Sequence, residues 1–333
     1  VRIARPTLAV LAVAGVCAVG GATEPTYFKS LRPPASRDRF HRPSGITADP
    51  HTGEVFVCDS RAHRIVIFDP DGLFRYQIAG GSVFRSPLDV AIDPEGFLFV
   101  ASVTAGRRVL FHLDFDGALV RELDLTALEE ETGRIPEIIS VAITSSGDRL
   151  FAVDRANKRL WILTREGAAL RSIDLAEGVT GDKREEHVLG HVDVYGDNVL
   201  VALPTQGFVH VYDVEGVRRG LVGNKGAGPC QTGFPVAAAM DENGDIWVLD
   251  LQRAMFMRWR VEGNRCLDQH YGFGNAPGAL YSPLDMTLDG EGRVYVTQGF
   301  EGRVQVYEGA PLPAESRGPG PEGPSPESSS LDD

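Results

Sequence analysis

The chain has 333 residues, of which 43% are apolar, enough to bury a large core; length alone would suggest about two domains. Its 46 Asp and Glu outnumber 33 Lys and Arg, giving a net charge of −13. That balance excludes nucleic acid as an expected partner, because such binding is driven by Lys and Arg neutralising phosphates.

Residues 1–22 place Arg2 and Arg5 before an apolar run at 8–19 and small residues ending at Ala22, the pattern of a secretory signal peptide cleaved after Ala22. The run is short for a membrane span. The expectation is a secreted or periplasmic protein. Cys17 offers an alternative, a lipoprotein anchored through that cysteine, although Val16 before it matches such a motif poorly. Membrane association is expected only in that case.

Residues 43–80 (PSGITADPHTGEVFVCDSRAHRIVIFDPDGLFRYQIAG) contain four short apolar pieces, SGITAD, EVFVCD, RIVIFD and LFRYQI. Each is rich in β-branched or aromatic residues and closes on Asp, Gly or Pro turn chemistry, which predicts a four-stranded antiparallel meander. Degraded copies begin at Pro87, Pro136, His187, Pro235 and Pro283. The apolar residue of the first strand falls at Ile46, Val90, Val141, Val192, Ala238 and Met286, in steps of 44, 51, 51, 46 and 48 by subtraction. The ends of the second strands, Asp59, Ser102, Asp154, Leu203, Asp250 and Gln298, keep a similar spacing. A four-strand unit at a period of ~40–50 residues indicates a β-propeller, so the predicted fold is all-β, with six blades filling 23–309.

The sixth copy lacks a fourth strand, because VQVYEG is followed by a stretch with no apolar alternation. Thr26–Leu31 (TYFKSL) resembles the fourth strand of copy one and is expected to pair onto 305–307, closing the ring and removing an open sheet edge.

In copy one, Pro43, Gly45, Ile46, Asp49, Gly53, Val55-Phe56-Val57, Asp59, Arg64 and Ile65 follow the pattern Pro-x-Gly-apolar, Asp turn, Gly, V-Y/F-V-x-D and Arg-apolar. This resembles the NHL-repeat family of six-bladed propellers over about 26–308. Copies two, three and six keep most of the pattern, including Arg108, Arg159 and Arg303; copy four has Leu203 and Phe208, and copy five Met255, where the pattern has Asp or Arg. The family hosts lyases, hydrolases, sensor domains and scaffolds, so the resemblance implies a fold and leaves the activity open.

In a propeller the first strands line a central channel. The residues just before the aligned apolar positions are Gly45, Asp89, Ser140, His191, Ala237 and Asp285. Asp89, His191 and Asp285 at one mouth could hold a cation such as calcium, or supply acid and base with His191 as the catalytic group. The resemblance points the same way, since related lactonases and lyases hold a metal at this rim. The bland reading is rim polarity, with Asp capping backbone N–H groups at a strand entrance. A peptide-amidating lyase would need metal-binding histidines from corresponding repeats, and only blade four offers one.

Loops between second and third strands carry Arg61, His63, Arg107, Arg155, Lys158 and Arg253, a gathering of positive charge that could attract an acidic ligand. Arg64, Arg108, Arg159 and Arg303 occupy the repeat's own Arg position, where an Asp such as Asp59 or Asp154 can pair with them. The long connections 126–137, 176–188, 223–234 and 272–282 open on the same face, with Phe234, Phe273 and Tyr281 as aromatic anchors.

Cys58, Cys230 and Cys266 remain after the leader; Cys230 and Cys266 can bridge, or all three can be unpaired small residues. Without a CxxC pair they make a poor zinc site. Residues 310–333, rich in Pro, Gly, Ser and Glu, are expected to be disordered. No P-loop, dinucleotide fingerprint, nucleophile elbow or HExxH motif occurs. The leading expectation is therefore an exported, monomeric propeller that binds a protein, peptide or glycan through its loop-rich face. The alternative is a calcium-assisted hydrolase or lyase at the channel mouth.

Overall fold

The computed structural model describes residues 25–34, 39–270 and 272–308. The expected signal peptide with Cys17, and the expected tail, lie outside them. Within the unit Pro25–Gly309 the chain forms six four-stranded antiparallel sheets. Five are meanders in sequence order; the sixth combines Pro283–Leu288, Val294–Gln298 and Arg303–Glu308 with Thr26–Leu31 as its outermost strand. Leu31 faces Val304 and Thr26 faces Glu308, so the strand preceding the first repeat supplies the piece that the last repeat lacks. This is the six-bladed β-propeller expected from the repeat.

The core is a ring of layers between blades. Each of the six buried clusters draws on two consecutive blades: Phe56, Ile65 and Ile67 meet Val90, Val100 and Phe111, for example. Across the closing seam, Leu31, Tyr295, Val304 and Val306 meet Phe40, Ile46, Val55 and Phe68. Alternation explains this arrangement, because a central strand puts successive side chains on opposite faces and each face has a neighbouring blade to bury against.

The repeat's Asp at the end of the second strand has a definite task. Asp59 accepts the His41 N–H (2.7 Å), Asp154 the Glu137 N–H (2.9 Å), Asp250 the Gly233 N–H (2.6 Å), and Gln298 the Tyr281 N–H (2.8 Å). Each satisfies a backbone donor of the segment arriving from the previous blade, which otherwise would have no strand to pair with. Incoming connections and the loops after second strands therefore open on one face. The connection 126–137 is more ordered than a loop: Thr126–Thr132 is a helix, held by Leu128 in the interblade core and ended by Gly133 at φ 71°.

Cys230 and Cys266 form a disulfide, with Cα atoms 5.8 Å apart, joining the loop before blade five to that blade's outer strand. Cys58 is buried and unpaired.

Candidate functional site at the channel mouth

The first strand of each blade runs along the channel, and in five blades its pairing slips by a bulge next to the predicted channel residue: 43/46, 87/89, 138/140, 235/237 and 283/285. A bulge re-aims a side chain and bends the strand. In blade four the strand starts only at Val192, one residue after His191, and His191 is held instead by its N–H donating to the Val236 carbonyl (2.8 Å).

Asp89, His191 and Asp285, from blades two, four and six, converge so that one potential donor atom of each lies within 4.8 Å of the others. His191 Nδ1 is 3.3 Å from Asp285 Oδ2 and 3.6 Å from Asp89 Oδ2. It is buried and makes no well-formed hydrogen bond. Burial works against a charged imidazole here, but the carboxylates of Asp285 and Asp89 overcome it and raise the His191 pKa to about 9. With 21% of the side chain still reaching channel solvent, part of that attraction is screened. The two neighbouring Asp side chains therefore favour the protonated ring at neutral pH.

The same carboxylates latch the ring of blades. Asp89 accepts the Val141 N–H (3.0 Å) and Ser140 hydroxyl (2.6 Å) of blade three on Oδ2, and its own Val90 N–H on Oδ1. Ser140 in turn accepts the Val192 N–H (3.0 Å) of blade four. Asp285 accepts the Ile46 N–H (2.9 Å) of blade one and its own Met286 N–H. Gly45 leaves the room that Asp89 occupies, since a Cβ there would sit 2.3 Å from Asp89 Oδ1. Two residues deeper, Asp193 faces the same channel, and burial, opposed by the Val194 N–H and aided by the Asp89 charge, raises its pKa to about 7. Burial and the Asp89 charge raise the pKa of Asp285 as well, against the pull of His191.

This donor set fits calcium poorly. That ion takes six to eight oxygens, whereas the centre offers a ring nitrogen and two carboxylates whose oxygens already accept N–H groups. One nitrogen with two carboxylates suits a smaller transition-metal dication better, and such an ion would have to displace the proton from His191.

The comparisons with known proteins agree with this architecture. The NHL-repeat family model matches residues 40–68, the segment that opens the first blade of a six-bladed ring. The chain is a six-bladed β-propeller with an NHL-repeat match in its first blade. Peptidyl-glycine alpha-amidating monooxygenases A and B of Xenopus laevis are each 30% identical to it over 136 residues, 38% of this chain. The match spans only 14% and 15% of their lengths. A Bacteroides thetaiotaomicron structural-genomics protein of unknown function superposes with TM-score 0.61 at 15% identity, covering 85% of this chain and 73% of that one. A streptogramin B lyase structure gives 0.58 at 11% identity, covering 86% and 98%. These two show the fold alone.

On the rim of the propeller, most of the cations expected to be free are engaged. Arg107 pairs with Glu122 (3.1 Å) and Arg155 with Glu137 (2.5 Å). Lys158 is buried and donates to the Glu185 carbonyl (3.2 Å), and Arg253 donates to the carbonyls of Gly228 and Gln231. Linear sequence could not show these partners, which come from the same blade's outer strand for Arg107 and from interblade connections for the others. Arg61 and His63 stay exposed, with His63 in the left-handed region at φ 54°.

Among the repeat arginines, Arg64 binds Asp59 (3.0 Å) as expected. Arg159 does not bind Asp154; it binds Ser172 (2.7 Å) and lies near Glu131, because the free Asp154 oxygen is taken by Asn157 and the Trp161 indole N–H. Arg108 is near Glu137, and Arg303 binds Gln298.

Of the aromatic anchors, Phe234 is partly buried against the core between blades five and six. Phe273 is 75% exposed and packs on Tyr281 (5.2 Å between ring centroids). Tyr281 packs in turn on Phe300 (5.6 Å), which is 78% exposed. Phe300 was missed from sequence because it sits in a short loop between strands; Asp193 could have been found, since it lies two residues beyond His191 on a strand of period two.

Proposed function

We propose that this NHL propeller is an exported binding scaffold that takes a protein, peptide or glycan partner on its loop-rich face. One observation carries the reading: Phe273, Tyr281 and Phe300 form a continuous row of rings on that face, and its two ends are almost fully solvent-exposed. Large aromatic side chains left in water and fixed by mutual packing are the usual anchors of an interface. The channel centre supports the same reading, because its two carboxyl groups face His191 and are occupied in latching blades. Export is supported by the Cys230–Cys266 bridge, which suits an oxidising compartment.

A second reading, a metal-assisted hydrolase or lyase, is favoured by the convergence of Asp89, His191 and Asp285 from three blades. The amidation named for the Xenopus relatives is not part of it, because the ring of channel residues described here holds a single histidine. Peptide and glycan arrays probed with the full chain separate the two readings. A scaffold should retain a defined set of ligands that Phe273→Ala/Phe300→Ala loses and His191→Gln keeps. Metal-dependent ester or lactone hydrolysis abolished by His191→Gln, with no ligand retained on either array, would install the enzyme instead.

A further inference from the structure

Beside the aromatic row, between blades one and six, lies a groove of about 510 Å³. That falls in the range of small-ligand sites. Arg39, His41, Arg42 and Arg61 line one side, Leu284 and Phe300 the other, and Glu301 is the one carboxylate among the described lining residues. The chain is acidic and ties up most of its rim arginines in ion pairs. Here, by contrast, Arg39, Arg42 and Arg61 are exposed and their guanidinium groups have no hydrogen-bond or ion-pair partner among the described residues. Three guanidinium groups facing one groove repel one another, so an anion between them is attracted by all three.

The backbone presenting them is fixed. Phe40 is buried and its N–H donates to the Gly302 carbonyl (2.9 Å), His41 N–H donates to buried Asp59, and the Arg42 carbonyl accepts the Ser60 N–H (3.2 Å). Arg42 holds φ 149°, a conformation that L-residues rarely adopt. Strain of this kind persists where surrounding contacts over-determine the backbone, and it clusters at ligand clamps. Phe300 adds an exposed ring to the wall.

We propose that this groove binds an organic anion carrying carboxylates on a flat apolar body, with the arginines taking the carboxylates as paired N–H donors and Phe300 stacking on the ring. This rests on the scaffold reading and names the ligand chemistry of one part of that face. The chemistry could come from a free aromatic acid or from a peptide ending in an acidic and an aromatic residue.

The test is calorimetric titration of the full chain with naphthalene-2,6-dicarboxylate, its neutral diamide, adipate, and N-acetyl-Asp-Phe with a free carboxyl end. The dicarboxylate should bind one to one, at least about tenfold more tightly than the diamide, and weaken as salt is raised. Arg61→Ala and Arg42→Gly, the latter matched to the positive φ, should each weaken it about tenfold, while Phe300→Ala should cost the aromatic probes and spare adipate. Arg107→Ala, outside the groove, should leave binding and melting temperature unchanged. Tighter binding of the peptide than of the dicarboxylate would assign the site to peptide ends, and the reverse to free acids. Equal affinity for the diamide, indifference to both arginine variants, or no binding at millimolar probe would overturn the proposal. Array ligands still lost with Phe273→Ala would then leave the scaffold reading standing.

Discussion

At the scale of single residues, the channel centre behaves as an ion triad that rivets alternate blades. The sign of its pH dependence follows from His191, whose pKa in the folded chain, about 9, exceeds the ordinary value. Its stabilisation is full below the ordinary histidine pKa and is lost as pH rises through about 9. Asp193 and Asp285, raised by burial, push the same way, because their ionised forms are penalised as pH climbs from the ordinary carboxylate range towards about 7. Urea unfolding of the wild type should lose up to roughly 3 kcal/mol between pH 7 and 10 relative to His191→Gln. A pH profile parallel to that of the variant would remove the triad from the stability account. Gly45→Ala is a second residue-scale test: the new Cβ would collide with Asp89, both its carboxylate and its backbone. Overpacking of this kind costs about 1–3 kcal/mol, and the urea midpoint should fall accordingly; an unchanged midpoint would mean that the first strand yields without cost.

Among the elements, the closing strand and the disulfide are the two devices that do not repeat. Thr26–Leu31 pairs along the whole outer edge of the last blade and buries Leu31 in the seam. Leu31→Asp would put a charge among Tyr295, Val304 and Phe68. It should lower the melting temperature and make the seam the first region to exchange amide hydrogens, measured by hydrogen–deuterium exchange mass spectrometry. Uniform exchange around the ring would contradict that. The Cys230–Cys266 link closes a loop with a sequence separation of 36, so Cys230→Ser/Cys266→Ser should cost about 2–4 kcal/mol and expose 223–234 to limited proteolysis. Equal resistance in the two proteins would make the bridge ornamental. The closing strand was legible because a missing fourth strand at one end matched an orphan strand at the other. The helix at Thr126–Thr132 was not, because its order comes from Leu128 reaching an interblade core that a single loop sequence does not reveal.

For the whole molecule, the repeat made the fold legible: one apolar column fixed the blades, and the residue before it fixed which side chains meet on the axis. That column brought Asp89, His191 and Asp285 to one list although they are far apart in sequence. It could not reveal that both carboxylates accept N–H groups of neighbouring blades, nor that His191 carries the balancing charge, since both depend on how the ring closes. Rim chemistry was the least legible part. Arg155, Lys158 and Arg253 find partners in interblade connections and Arg107 in its blade's outer strand, whereas Arg39, Arg42 and Phe300 gather at a seam between the first and last repeats, which are the most distant in sequence. On this reading the channel centre is an internal latch between blades, and recognition belongs to the rim. The most direct test is an NMR titration of the His191 ring signals, assigned with His191→Gln, in the metal-free full chain from pH 5 to 10, with and without zinc or calcium. The expected pKa is about 9, and neither ion should displace the proton at neutral pH; a ring titrating near the ordinary histidine value, or giving up its proton to one equivalent of metal, would rule out the latch.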